Sequence, residues 1–161
     1  RLSAAITRPV VAHEALGLRT VVLNEERVGI VVPSAHPLAR GGEVGWSALG
    51  RERLIVLARR EGMGLHDAVI AGCRRAGVMP RLAHTPSLIG TVMTYVDAGA
   101  GIGVVTESVV PRGAGLRFVL LKPVQSVPLV LVWHEDEDAP PLQRFRELLL
   151  DWKNTGRLAR K

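Results

Sequence analysis

Residues 87–105 read SLIGTVMTYVDAGAGIGVV, and this stretch decides the fold class. Its apolar residues from Leu88 to Val96 recur at helical spacing, so we predict a helix capped at its start by Thr85-Pro86-Ser87. The glycines from Gly99 onward end that helix. Residues 102–106 then predict a strand. A helix followed at once by a strand is typical of an α/β protein.

The same alternation extends to both sides of this stretch. Upstream, residues 54–57 predict a buried strand, and apolar residues from Leu65 to Ala76 predict a helix that Gly77 ends. We predict further strands at 4–8, 18–23, 28–32, 81–84, 116–121 and 127–133, and a last amphipathic helix that carries Leu142, Phe145, Leu148, Leu149 and Trp152. Strands that alternate with helices indicate an α/β fold with a largely parallel sheet.

Two short segments, here called joints, suggest how the chain is divided into lobes. The first joint is residues 40–43, which include Gly41 and Gly42, and the second is residues 122–126, which include Pro123. The segment between these joints is therefore interpreted as a lobe inserted between two pieces of another lobe.

Composition excludes several classes of protein. The chain has 161 residues, of which 47% are hydrophobic and 22% charged, as in ordinary globular proteins and unlike disordered ones. The single cysteine, Cys73, excludes an internal disulfide framework and a thiolate metal cluster. The net charge of +6 comes mostly from scattered arginines, with only 4% aromatic residues. Nucleic-acid binders usually interleave aromatic and basic residues, so we expect the charges to lie on solvated faces.

No motif in the sequence indicates catalysis. The glycines at 99, 101 and 103 follow a predicted helix and precede a strand, which is the reverse of a dinucleotide-binding loop. Cys73 lies on the apolar stripe of its helix, so we expect a buried and unreactive thiol. The five histidines show no metal-ligand spacing, and no nucleophile elbow occurs. We therefore expect neither an enzyme nor a bound metal or cofactor.

A binding site is better supported than a catalytic one. Helices predicted to begin near Gly64 and Pro86 expose backbone N–H groups that attract carboxylates or phosphates. Residues 59–66, RREGMGLH, join a buried strand to the first of these helices, and ligands of open α/β sheets bind at such loops. Arg59 or Arg60 could add positive charge. The alternative is a surface loop with two solvated arginines, and the residues leave both interpretations open.

Several segments, taken in order, resemble one known family. They are residues 18–39, which end in VPSAHPLA, residues 72–77 with Pro80, the stretch 87–105, the strand that ends at Trp133, and residues 141–148, PLQRFREL. In this order and spacing the chain resembles the effector-binding domain of the bacterial LysR-type transcriptional regulators over nearly its whole length.

The resemblance implies a type-2 periplasmic-binding-protein-like fold, with two α/β lobes, two crossover strands and an effector cleft between the lobes. Residues 1–42 and 128–153 would form a partial first lobe, residues 43–127 the second lobe, and residues 154–161 a tail. The family's effectors are commonly small anionic metabolites, and its members are cytoplasmic homodimers or homotetramers without membrane segments. The effector-binding positions would be Thr7, Arg8, Asn24, Gly64, Leu65 and His66. For Arg8, a surface arginine before a proline is an equally open interpretation.

The sequence also departs from the family pattern. Family members begin with a winged helix-turn-helix and a linker helix, and their first lobe begins with a strand, a helix and a second strand, none of which is found here. We therefore expect this chain by itself not to bind operator DNA, to form an incomplete effector site, and to associate through uncovered apolar surface. DNA contact would depend on the missing N-terminal domain. A solute-binding protein for transport and a cytosolic two-lobed enzyme remain the alternatives.

Overall fold

The structure is a computed structural model that describes residues 3–9, 16–110, 113, 115–137 and 139–159. It contains three α-helices in this part of the chain: α1 (Met63–Arg75), α2 (Ile89–Asp97) and α3 (Pro140–Asn154). The strands are β1 (Ala4–Thr7), β2 (Leu18–Pro33), β3 (Glu43–Gly45), β4 (Arg53–Val56), β5 (Arg81–His84), β6 (Ile102–Thr106), β7 (Leu116–Lys122) and β8 (Ser126–His134). Short 3₁₀ helices lie at Pro37–Arg40, Trp46–Arg51, Glu107–Val109 and Arg157–Ala159.

The strands pair in the order β1-β8-β2-β6-β4-β5, with β7 also paired to β2 and β3 paired to β7. The buried strand β4 is parallel to β5 and to β6, and β3 is parallel to β7. By contrast, β1 is antiparallel to β8, and β2 is antiparallel to β6 and β7. The α/β prediction is confirmed, but the sheet is mixed rather than largely parallel, because β2 is antiparallel to β6 and β7 and β1 is antiparallel to β8.

Strand β2 corrects the prediction of two separate strands. The polar residues Asn24 to Arg27 suggest a turn, yet they continue one strand of 16 residues. They include neither glycine nor proline, and they alternate across the sheet: Glu25 and Arg27 are exposed, whereas Glu26 is buried. Alternation of this kind keeps a polar segment compatible with strand geometry.

The chain divides into two compact units, residues 1–25 with 128–161, and residues 26–127. Their first division lies inside β2, between Glu25 and Glu26, whereas the boundary predicted from the sequence follows residue 42. The second division follows Val127, inside β8.

The unit of residues 26–127 has two apolar layers, one on each face of its strands. Strand residues alternate between the faces: Val28, Ile30 and Val32 join the layer under α1, and Val31 joins the layer under α2. Leu65, Val69 and Cys73 from α1 complete the first layer, and Val92 and Val96 from α2 complete the second. In the other unit, Leu149 from α3 packs with Leu23 and Leu131. Phe145 and Leu148 on the predicted apolar stripe of α3 are exposed.

Glycines end both helices of the 26–127 unit, as predicted. At the end of α1, Gly77 has φ +70° and its N–H donates to the Arg74 carbonyl at 3.0 Å. The Val78 N–H donates to the Cys73 carbonyl at 3.0 Å. This is a Schellman motif, in which a left-handed residue turns the chain back to satisfy the last carbonyls. Gly99, with φ +72°, ends α2 in the same way.

The predicted start of α2 is wrong. The helix begins at Ile89 with Leu88 as its N-cap, and no side chain caps it. Thr85-Pro86-Ser87 lies outside the helix, where the Pro86 carbonyl accepts a hydrogen bond from the Ala58 N–H at 2.8 Å. Leu88, predicted on the buried stripe, is 69% exposed. The long-range bond to Pro86 fixes this segment to the loop after β4, and local capping preference does not anticipate such a contact.

Candidate functional site

The N-terminus of α1 follows a tight turn after β4. The Ala58 carbonyl accepts hydrogen bonds from the N–H groups of Glu61 at 2.8 Å and Gly62 at 3.1 Å. Gly62 is buried, and a Cβ at this position would lie 2.8 Å from Leu57 Cδ2, so a larger residue would displace the Leu57 side chain. Glycine at the N-cap also means that no side chain caps the helix.

The first N–H groups of α1 consequently have neither a side-chain cap nor an intrahelical acceptor. The His66 N–H donates to the Gly62 carbonyl at 2.9 Å, which is the first intrahelical bond. The N–H groups of Met63, Gly64 and Leu65 precede it and have no intrahelical acceptor. Met63 was not among the predicted site residues. Its position directly before Gly64 in the RREGMGLH loop could have indicated that its N–H group belongs to the same helix terminus. These three groups form the positive end of the helix dipole.

Neither arginine of the loop supplies a free positive charge. Arg59 makes two bonds to the Asp67 carboxylate, with Nε–Oδ1 and Nη2–Oδ2 distances of 2.7 and 2.9 Å. These bonds lower the pKa of Asp67 and raise the pKa of Arg59. Arg60 bonds to the Glu61 carboxylate at 2.9 Å and to the Ser87 hydroxyl at 2.9 Å. Attraction of an anion at this terminus therefore depends on the backbone N–H groups more than on these side chains.

The three predicted residues on α1 differ in what they can offer. Gly64 is exposed, so a ligand can approach its backbone. Leu65 is 6% exposed and belongs to the core under α1, so only its N–H can reach a ligand. The His66 side chain is mostly buried, and its Nδ1 atom has no hydrogen-bond partner, with Asp67 Oδ1 at 3.6 Å.

The remaining predicted residues lie in the other unit. Thr7 is the last residue of β1 and pairs with Val130 of β8. Arg8 follows it, and its Nη1 atom donates to the Pro128 carbonyl at 3.4 Å. Asn24 lies in β2 and is half-buried. Thr7 and Arg8 thus lie side by side against β8, while Gly64, Leu65 and His66 share the first turn of α1.

The described residues give no support to a metal site, a reactive thiol or a membrane-spanning helix. No group of three or more His, Cys, Asp and Glu side chains in this part of the chain is arranged to hold a metal ion. Burial raises the pKa of the Cys73 thiol, so a smaller fraction of it is ionised to the reactive thiolate. None of the helices described is both long and apolar enough to cross a lipid bilayer.

The fold defines a class of protein: an α/β domain built from two units. Comparison with known proteins identifies the family. A profile of the LysR substrate binding domain matches residues 1–154, so the chain belongs to the LysR family of transcriptional regulators. Its fold is therefore the type-2 periplasmic-binding-protein-like fold of LysR effector-binding domains.

Individual relatives agree with this assignment. The chain is 28% identical over 149 residues to the HTH-type transcriptional regulator BudR of Raoultella terrigena, covering 90% of this chain and 50% of BudR. It is 30% identical over 162 residues to the regulator TtuA of Agrobacterium vitis, covering 92% of this chain and 51% of TtuA. The chain thus spans about half the length of these curated relatives. The matched relatives are named as transcriptional regulators and not as enzymes, which agrees with the expectation that this chain is not an enzyme.

Solved structures show the same fold. The crystal structure of CbnR, a LysR family regulator, aligns with a TM-score of 0.80 at 22% identity over 93% of this chain and 52% of CbnR. The effector binding domain of a BenM variant aligns with a TM-score of 0.78 at 19% identity over 97% of this chain and 74% of that domain.

Proposed function

We propose that this chain senses a small anionic metabolite for a LysR-type regulator and binds it at the N-terminus of α1. The observation that carries the proposal is the uncapped first turn, where three N–H groups precede the first intrahelical bond. A helix N-terminus favours an anion by about 0.3–1 kcal/mol when exposed and up to about 2 kcal/mol when partly buried. The exposed Gly64 has no side chain, so an anion can approach the backbone closely there.

His66 is the side chain best suited to add selectivity. Its Nδ1 atom is buried without a hydrogen-bond partner, and a buried polar atom of this kind gains free energy when a ligand group pairs with it. Thr7, Arg8 and Asn24 complete the proposed set, and their part rests on the family resemblance. Arg8 is held by the Pro128 carbonyl, which limits the conformations of its guanidinium.

The proposed partners follow from family membership. BudR and TtuA are named as HTH-type regulators, so we propose that the regulator containing this chain contacts DNA through a helix-turn-helix domain. We further propose a homodimer or homotetramer that works in the cytoplasm. Transport is the less favoured alternative, because the matched relatives are regulators.

Calorimetric titration of the chain with a panel of monocarboxylates, dicarboxylates and phosphate esters tests the proposal. We expect at least one anion to bind, and Gly64→Asp to weaken it at least tenfold, or about 1.4 kcal/mol, because a carboxylate would then occupy the same end of the dipole. An acidic residue in the first turn favours the helix, so loss of binding would not come from loss of the helix.

Gly64→Ala is the matched control for this substitution. Both variants add a Cβ, which would lie 3.1 Å from Val127 Cγ1, and only the aspartate adds charge. We expect Gly64→Ala to bind more tightly than Gly64→Asp. Equal affinities in the two variants, or no binding by any anion of the panel, would contradict the proposed function.

A further inference from the structure

A concave site lies in the unit of residues 26–127, beside the C-terminal half of α1. It is a cavity of about 550 Å³, within the range of small-molecule pockets. Its lining includes Trp46, Ser47, Arg75, Lys122, Val124 and Gln125. Arg75 follows Gly64 by eleven residues on α1, or roughly 16 Å along the helix axis at 1.5 Å per residue. The cavity is therefore separate from the proposed effector site.

Hydrogen bonds and close packing hold the cavity walls in place. The Trp46 indole N–H donates to the Pro123 carbonyl at 2.9 Å. The Gln125 carbonyl accepts from the Val28 N–H at 2.8 Å, which ties the same turn to β2. At Gly72 a Cβ would lie 2.4 Å from the Trp46 ring, so the absence of a side chain lets α1 pack directly on the indole. A site with fixed walls loses little conformational freedom when a ligand binds.

The cavity carries one uncompensated positive charge among its described lining residues. Arg75 has no ion pair or hydrogen-bond partner in the part of the chain that the structure describes. Lys122, in contrast, forms an ion pair with Glu43 at 3.2 Å. The helix dipole places roughly half a negative charge at the end of α1, which is less than the full charge of the guanidinium. The net field therefore favours a single negative charge.

The rest of the lining is mainly apolar. Val124 is 43% exposed at the cavity, Pro123 and Ala76 add apolar surface, and the buried Trp46 forms part of the wall. A guanidinium binds a carboxylate through two parallel hydrogen bonds, and apolar walls favour a hydrocarbon tail. We propose that this cavity binds a small monocarboxylate, with the carboxylate on Arg75 and the aliphatic tail against Val124 and Trp46.

Titration of the isotopically labelled chain with sodium hexanoate, followed by nuclear magnetic resonance, tests this proposal. The signals to follow are the Trp46 indole N–H and the side-chain amide of Gln125. We expect both to shift saturably with hexanoate, and 1-hexanol to bind at least about tenfold more weakly, because it lacks the charge that Arg75 recognises. If hexanoate causes no saturable shift, or if hexanoate and 1-hexanol bind with equal affinity, the proposal is wrong. This test uses the parent chain and needs no variant.

Neighbouring arginines supply a matched pair of variants. Arg74 and Arg75 both lie in the last turn of α1 and both are exposed, but only Arg75 lines this cavity. We expect Arg75→Gln to weaken hexanoate about tenfold or more, and Arg74→Gln to leave the affinity within about twofold. Equal losses in the two variants would overturn the assignment.

The variant His66→Ala tests whether the Trp46 cavity is independent of the proposed effector site. We expect it to leave hexanoate binding to the Trp46 cavity unchanged. If His66→Ala abolishes the shifts at Trp46 and Gln125, the cavity is not an independent site and the proposal is wrong, whatever the fate of the effector site.

Discussion

Replacing Gly103 with alanine would place a methyl group inside the packed apolar layer under α2. Gly103 lies in β6, where it pairs with Val31 on one side and Ile55 on the other. Its Cβ would lie 2.6 Å from Val31 Cγ1, 3.0 Å from Val92 Cγ1 and 3.1 Å from Val96 Cγ2. Because strands on both sides fix β6, the added volume cannot be relieved by moving the strand.

We expect Gly103→Ala to lower the free energy of unfolding by about 1–3 kcal/mol, as overpacking of cores does. For a chain of this size each kcal/mol lowers Tm by about 2–4 °C. Urea denaturation followed by circular dichroism measures the change. Adding Val31→Ala to this variant should relieve the closest overlap. The double variant should therefore lose less free energy of unfolding than the two single variants lose in sum, by about 0.5 kcal/mol or more.

Gly99→Ala serves as the control for this comparison of single and double variants. Gly99 has φ +72°, and a Cβ there would meet no atom within 4 Å. It should cost about 1–2 kcal/mol through backbone conformation alone, and its effect should add to that of Val31→Ala within about 0.5 kcal/mol. A Gly103→Ala variant as stable as the parent chain, or additivity with Val31→Ala, would refute the packing argument.

Three further predictions concern charges and the thiol. Arg27→Ala removes two bonds to the Glu107 carboxylate, at 2.6 and 3.0 Å, and should lower the free energy of unfolding by about 0.2–1 kcal/mol, less in high salt, as denaturation at two salt concentrations can show. Arg59 holds the pKa of Asp67 below its ordinary 3.8, so the stability from this pair is present above pH 3.8 and is lost as the pH falls through the lower folded value. Arg59→Gln should raise the titration midpoint of the Asp67 carboxyl in carbon-detected resonance spectra, and an unchanged midpoint would contradict the assigned cause. Cys73, buried with a raised pKa, should react with a thiol reagent only at the rate of unfolding; rapid labelling of the folded chain would show that the site is open.

Much of the fold could be predicted from local patterns because local physics determines those elements. The left-handed glycines after α1 and α2 end each helix where the periodicity stops, and the continuous apolar run of β4 has parallel neighbours on both sides. The glycines at 99 and 101 serve as a helix cap and a turn into β6, as the order of helix and strand indicated. Burial of Cys73 likewise follows from its place on the apolar stripe of α1.

The predictions that were wrong depended on contacts distant in sequence. Asn24 to Arg27 look like a turn, but they form part of β2, a strand of 16 residues that has paired neighbours on both sides. Thr85-Pro86-Ser87 looks like a helix cap, but the bond from Ala58 to Pro86 holds it outside α2. At the candidate site, the uncapped terminus of α1 was predictable from its glycines. The neutralisation of Arg59 by Asp67 was not predicted, although the two are eight residues apart.

Backbone amide resonances test most directly whether the first turn of α1 holds the effector. A labelled chain is titrated with the anion of the calorimetric panel that binds most tightly, and the amide signals of Met63, Gly64 and Leu65 are followed. We expect these three signals to shift together and to saturate at the calorimetric affinity, because their N–H groups would donate hydrogen bonds to the anion. An anion that binds the chain with the same affinity while these amides stay unchanged would contradict this expectation.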